Sequence, residues 1–291
     1  MHDPEIHDSL FREAVSAMDA GDVITLERLL TEHPGLVRDR LDSPGAWLRD
    51  RVGDALDGFF RQPYLLWFVA EDPVRNGMLP GNIAQVTRVI IQAAEREGVR
   101  NLQEQLDDAL RLVSLSWVAR KCDVQIELID VLIDAGASPD GAPDNALVNG
   151  NFEAAERLVE RGATLTLATA LCLGRWDDVA RIAEKATARQ KQSAFVLAAL
   201  RGRAEALRRV IGFGVDLNRP SSDLYAHATA LHHAVSSGSL ESVKVLVEAG
   251  ADLGAKDTVY HGTPRGWAEH GKHAEIAAYL REKEGQGRDS S

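Results

Sequence analysis

A seven-residue pattern with glycine at its fifth position returns four times along this 291-residue chain. An internal period of that kind restricts the possible folds more than any composition does, because each copy must be one structural unit that packs on the next. The pattern is Leu246-Val247-Glu248-Ala249-Gly250-Ala251-Asp252, with counterparts at Leu132–Ser138, Leu158–Thr164 and Val210–Asp216. Each copy reads as an apolar helix face running into a glycine that can take the left-handed conformation ending a helix. The glycines at 136, 162, 214 and 250 are separated by 26, 52 and 36 residues, so the long interval is expected to hide a degenerate copy near Ala186-Thr187-Ala188.

A second frame tests the first. Small residues recur at Ala146, Ala170, Ala198, Ala234 and Ala268, and glycine follows four residues later at Gly150, Gly174, Gly202 and Gly238; in the last copy Gly271 comes one residue early. A helix that packs closely on its neighbour needs a small residue at the contact. Between each such glycine and the next helix stop lies an amphipathic stretch such as Leu240–Val247, apolar at positions 240, 243, 246 and 247. Each unit is therefore expected to be helix, turn, helix.

The segment Thr229-Ala230-Leu231-His232-His233-Ala234, continued by Gly238-Ser239-Leu240-Glu241 and Gly250-Ala251-Asp252, resembles the T-P-L-H-x-A opening and helix-stop pattern of ankyrin repeats. Thr263-Pro264 and Trp267-Ala268-Glu269-His270-Gly271 open a further copy, and Ala20-Gly21-Asp22 through Pro34 is similar to the first repeat of bacterial ankyrin arrays. The resemblance implies an all-α, ankyrin-type helix-turn-helix solenoid of about eight helix pairs, its central repeats compressed to 24–28 residues. The expected divisions are a capping repeat and irregular segment over 1–55, enlarged divergent repeats over 56–138, ankyrin repeats over 139–284 and a disordered tail over 285–291. Within 56–138, Tyr64 to Gly98 reads as an inner helix, an insertion and an outer helix from Ile83 to Glu97. The resemblance further implies that Thr229 caps an inner helix, that His232 bonds to the neighbouring turn, and that the concave face binds other proteins.

Composition then excludes several classes. With 33 Lys+Arg against 44 Asp+Glu the net charge is −11, which offers no global attraction to phosphate backbones or anionic bilayers. Two cysteines fifty residues apart, Cys122 and Cys172, support neither a disulfide framework nor a zinc cluster. The longest strongly apolar run, Tyr64–Ala70, is far short of the ~20 residues that span a bilayer. No signal peptide is evident, and a reducing, cytoplasmic compartment is expected. The 26 Arg against 7 Lys suggest a GC-rich bacterial genome. No phosphate loop, nucleophile elbow or H-E-x-x-H pair occurs, so a non-enzymatic chain without cofactor is expected.

The candidate binding residues follow from position and chemistry. Tyr225 and Tyr260 occupy the loops before two inner helices, where hairpin tips would project toward a partner, and aromatics are favoured anchors at interfaces. Asp223, His227, Lys256, Asp257 and His261 surround them. Trp176 is expected exposed at a turn, whereas Trp67, Trp117 and Trp267 are expected in the core. Residues 185–209 carry seven basic groups and one acid, a net of +6 that leaves −17 elsewhere; Arg201 and Arg203 lie at its inter-helix turn and could meet an acidic partner surface. Two alternatives stand beside the protein-binding reading: a metal-dependent enzyme using His227, His232 and His233 with Asp223, and a polyanion binder using 185–209. No membrane contact is expected, and nucleic acid is disfavoured by the net charge.

Overall fold

The computed structural model describes residues 4–53, 58, 61–70, 77–220 and 224–288. Among them every regular element is helical: eighteen α-helices and one 3-10 turn. The chain forms two compact units, Met1–Thr164 and Leu165–Ser291. This division falls inside the expected 139–284 block rather than at its edge.

The second unit shows the repeat most plainly. Its helices are α11 (Leu167–Leu173), α12 (Trp176–Lys185), α13 (Ala188–Leu200), α14 (Ala204–Ile211), α15 (Ala230–Ser236), α16 (Leu240–Glu248), α17 (Pro264–His270) and α18 (Ala274–Arg288). The first helix of each pair packs on the first helix of the next, giving the layer α11, α13, α15, α17, and each packs on its own second helix. Ala170, Ala198, Ala234 and Ala268 of that first layer are all fully buried, as close packing between neighbouring helices requires. Around them Leu171, Phe195, Leu207, Leu231, Leu246 and Leu280 make one apolar core. Each such leucine contributes about 2–3 kcal/mol of burial.

The helix stops behave as the period requires. Gly214 and Gly250 sit at φ 77° and 96°, where a side chain would be strained. The copy hidden in the 52-residue interval is real but has no glycine: α12 ends at Ala186 in extended conformation, and Thr187 at once caps α13 through a capping box with Gln190. That two-residue joint explains the compression, since the connectors before α15 and α17 span 212–229 and 249–263. In the last pair Gly271 takes helical φ, and Lys272, the next residue, carries the left-handed φ of 59°.

The first unit has the same two-layer plan with more irregular elements. Its helices are α1 (Pro4–Ala20), α2 (Val23–Glu32), α3 (Gly35–Arg38), α4 (Ala46–Val52), α5 (Ile83–Arg96), α6 (Leu102–Leu115), α7 (Trp117–Lys121), α8 (Gln125–Asp134), α9 (Ala142–Val148) and α10 (Phe152–Glu160). One layer runs α1, the 3-10 turn Leu65–Val69, α6, α9, and the other α2, α5, α8, α10. Counting the 3-10 turn as a first element, the described residues form four pairs in each unit, eight in all.

Two expectations change here. The inner helix expected from Tyr64 is only the five-residue 3-10 turn, although its apolar residues Leu65–Val69 are all buried. Of the tail expected to be disordered, residues 285–288 are helical because α18 continues without a break, and 289–291 lie outside the described residues. Part of the insertion expected near Asp72-Pro73 lies outside the described residues.

Candidate functional site

Side chains from one repeat tie down the loop of the next. In the first unit Asp107 accepts from the Ser138 N–H at 2.7 Å and Asp140 from the Thr164 N–H at 2.7 Å. In the second, Gln192 accepts from Asp216 N–H (3.1 Å) and donates to the Asp216 and Arg219 carbonyls, and Asn218 accepts from Asp252 N–H at 2.8 Å. All four tethered N–H groups lie two residues beyond a helix-stop glycine. Sequence reasoning missed this device; its signal is the polar residue recurring just after each stop, at Asp140, Asn218 and, within the next helix, Gln192. Tethered loops lose less entropy when they bind.

The loop before α17 is built around Asp257. Although expected to face a partner, Asp257 is buried at 1% exposure. Its carboxylate accepts from the backbone N–H groups of Val259 (2.9 Å), Tyr260 (2.6 Å) and Gly262 (2.8 Å) and from the indole N–H of Trp267 (2.9 Å). Burial opposes its charge, but the donors from Tyr260, Trp267, Gly262 and Val259 outweigh it and hold the carboxyl well below the usual range. With three donors from the loop and one from α17 on its carboxylate, the buried Asp257 shapes the loop from within. The consequence of that shape is exposure next door: Val259 is 57% exposed and Tyr260 78%. His261 and Lys256 are also exposed, and His261 holds a left-handed φ of 55°.

The loop before α15 joins this one. Thr258 donates its N–H to the His227 carbonyl at 2.8 Å. Tyr225, half exposed and at φ 45°, places its ring 6.3 Å from His227 and 5.8 Å from His233, and His227 stacks on Trp267 at 6.0 Å. Asp223 lies outside the described residues. Trp267, expected in the core, is instead a half-buried member of this ring cluster. It occupies the x position of the T-P-L-H-x-A opening, as does His233, and that shared register was the readable signal for both.

The histidines are committed to structure. His232 Nδ1 accepts from the Thr229 N–H (3.3 Å) and hydroxyl (2.8 Å), and its Nε2 donates to the Gly262 carbonyl at 3.1 Å, joining the start of α15 to the next loop. This is the role the resemblance implied. Burial pushes the His232 pKa down. His233, 3% exposed, is driven to about 4 by burial first and by neighbouring His227 second. Both nitrogens of His232 are thus engaged, and among the described residues no group of three His, Cys, Asp or Glu side chains is placed to hold a metal ion.

The remaining expectations separate in space. Trp176 is half-buried against the core with the Arg209 guanidinium 4.5 Å above its ring, so it is a covered residue rather than an exposed anchor. Trp117, expected in the core, is 55% exposed. The basic segment 185–209 does not present one face. Arg208 and Arg209 on α14 pair with Glu205, and Arg208 also with Glu241. Arg203 is exposed at the start of α14, while Arg201 ends α13 half-buried.

The comparisons agree with this architecture. A family model described as ankyrin repeats (3 copies) matches residues 146–257. The chain is similar to a potassium channel, AKT1, of Arabidopsis thaliana, 40% identical over 87 residues, which is 30% of this chain and 10% of the channel. It is similar also to AKT1 of Oryza sativa subsp. indica, 38% identical over 80 residues, 27% of this chain and 8% of that one. The matches thus span about a tenth of the length of these curated relatives. No helix among the described residues is long and apolar enough to cross a membrane. Stacked helix pairs, Thr229 and His232 bonded as the T-x-L-H motif requires, and the matched repeats lead to one conclusion: the chain carries ankyrin repeats over residues 146–257.

Proposed function

We propose that the chain is a non-enzymatic scaffold that binds a partner protein through the concave face of the second unit and the loops before α15 and α17. Ankyrin repeats are protein-interaction modules, which gives the coarse function. The finer reading is carried by one observation: Tyr225, Val259 and Tyr260 are exposed together on two loops hydrogen-bonded to one another and held from beneath by Asp257. Large apolar groups held in water by ordered backbone lose little freedom on docking, and tyrosine offers both a ring and a hydroxyl to a partner. The bonding of His232 argues against the metal-enzyme alternative, and the pairing of Arg208 and Arg209 with acids argues against a continuous polyanion track.

Tyr225→Ala/Tyr260→Ala tests the reading against a control pair on the second layer, Glu241→Ala/Glu248→Ala. The full-length chain, immobilised and exposed to lysate, should enrich a protein in wild type and control but not in the loop variant, with all three melting within a few degrees. Equal enrichment by the loop variant refutes the assignment of the surface.

A further inference from the structure

Among the described residues, Arg201 has no carboxylate counterion. It closes α13 at the turn into α14, its side chain is half-buried, and its Nε is buried with no hydrogen-bond partner. Every other arginine of 201–209 is engaged or exposed: Arg208 and Arg209 pair with Glu205 and Glu241, and Arg203 is exposed. No described residue pairs a carboxylate with Arg201. Burial pushes the guanidinium pKa down, opposed only by the fields of the Tyr225 phenol and the Cys172 thiol. The C-terminus of α13 offers partial negative charge, but a helix end alone does not supply an acceptor to a buried Nε–H.

A half-desolvated guanidinium with an unfilled donor costs free energy in the isolated chain, and natural proteins keep few such groups. Its position adds a direction. Arg201 closes the first-layer helix α13, and Tyr225 stands in the loop before the next first-layer helix, α15; Tyr225 is half exposed, holds a left-handed backbone unusual for a bulky residue, and packs against His233. His233 likewise buries an Nε2 with no partner. The buried, unpartnered Nε of Arg201 and Nε2 of His233 and the left-handed Tyr225 thus all lie on or just before first-layer helices of the second unit. Because Nε is enclosed, an incoming carboxylate would meet the planar guanidinium at its Nη edge, in two parallel hydrogen bonds that partial burial strengthens.

We propose that Arg201, at the end of α13, receives an acidic side chain of the protein that docks on the second unit. The inference rests on the protein-binding reading above and gives that partner a chemistry: an aspartate or glutamate presented to the first-helix layer, flanked by apolar residues that meet Tyr225 and Tyr260.

The probe is a displayed library of random dodecapeptides selected on the immobilised full chain. Wild type should enrich peptides with Asp or Glu at one fixed position; Arg201→Gln should lose that preference and Arg201→Lys keep part of it. Changing the selected acid to its amide should weaken binding to wild type by a factor of about ten and leave binding to Arg201→Gln unchanged. Because Arg201 has no carboxylate partner to lose among the described residues, Arg201→Gln should melt at the wild-type temperature or above. Peptides bound without an acidic position, or an amide effect that persists in Arg201→Gln, overturn the inference and leave the scaffold reading intact. A lowered melting temperature in Arg201→Gln would show a structural role and overturn it too. Selection of no peptide at all counts against both.

Discussion

The stability of the second unit should fall between pH 7 and pH 5 through His233. This imidazole is 3% exposed, packed by Tyr225, His227 and Trp267, and its pKa is pushed from 6.5 to about 4, chiefly by burial. A base with a folded pKa below its unfolded one is held neutral by the fold. Between pH 6.5 and 4 the unfolded chain therefore binds more protons, and stability is lost as pH falls through that window. Linkage for those two values gives about 2 kcal/mol lost between pH 7 and pH 5, and about 3 kcal/mol in full below pH 4. With a urea dependence near 2 kcal/mol per molar, the denaturation midpoint should drop by about 1 M. His232, also pushed down by burial, adds a loss of the same sign. The assay is urea unfolding followed by tryptophan fluorescence and far-UV circular dichroism at pH 7 and pH 5, on wild type and His233→Leu. The variant should keep about 2 kcal/mol of what wild type loses. Parallel losses in the two proteins would refute a neutral, buried His233.

Two further outcomes follow from the loops and turns. Asp257→Asn replaces a carboxylate that accepts four hydrogen bonds by an amide whose NH2 must face donors, and should cost about 2 kcal/mol at pH 7 in chemical denaturation. Since its folded pKa is depressed, the wild-type contribution is full above about pH 4 and fades as pH falls below it; the Asn variant should lack that acid-side loss. Lys272→Gly should raise stability by about 0.5–1 kcal/mol, because the lysine occupies a left-handed turn that glycine fills in the equivalent turns after α11, α13 and α15. A drop in melting temperature for that variant would show that the lysine side chain makes a compensating contact.

The repeat and its residue-level logic were legible because both depend on local rules. Glycine at a left-handed stop, alanine at a helix contact and Thr229–His232 at a helix start each follow from the conformation of a few neighbouring residues, so spacing alone exposes them. The stop at Ala186 was legible only as a gap, since there an extended residue and the Thr187 cap do the work of a glycine. What failed was whatever depended on burial across repeats. Asp257 and Tyr260 are three residues apart and look equally polar-exposed in sequence, yet one is enclosed by backbone donors and the other stands in water. Trp117 looks like a core residue because it borders an apolar stretch, but it begins a five-residue helix too short to bury it. Trp176 looks exposed after Gly174-Arg175, yet Arg209, a full repeat away in sequence, covers it. The charge run 185–209 was a linear sum, and the alternation between helix layers disperses it.

The most direct test of the central claim places a photo-reactive benzophenone amino acid at Tyr260, and in a second protein at Glu248 on α16. If the loops of the second unit are the docking surface, irradiation in lysate should give one reproducible adduct from position 260, lost when Tyr225→Ala is added, and none from position 248. Adducts from position 248 with none from 260 would contradict the account.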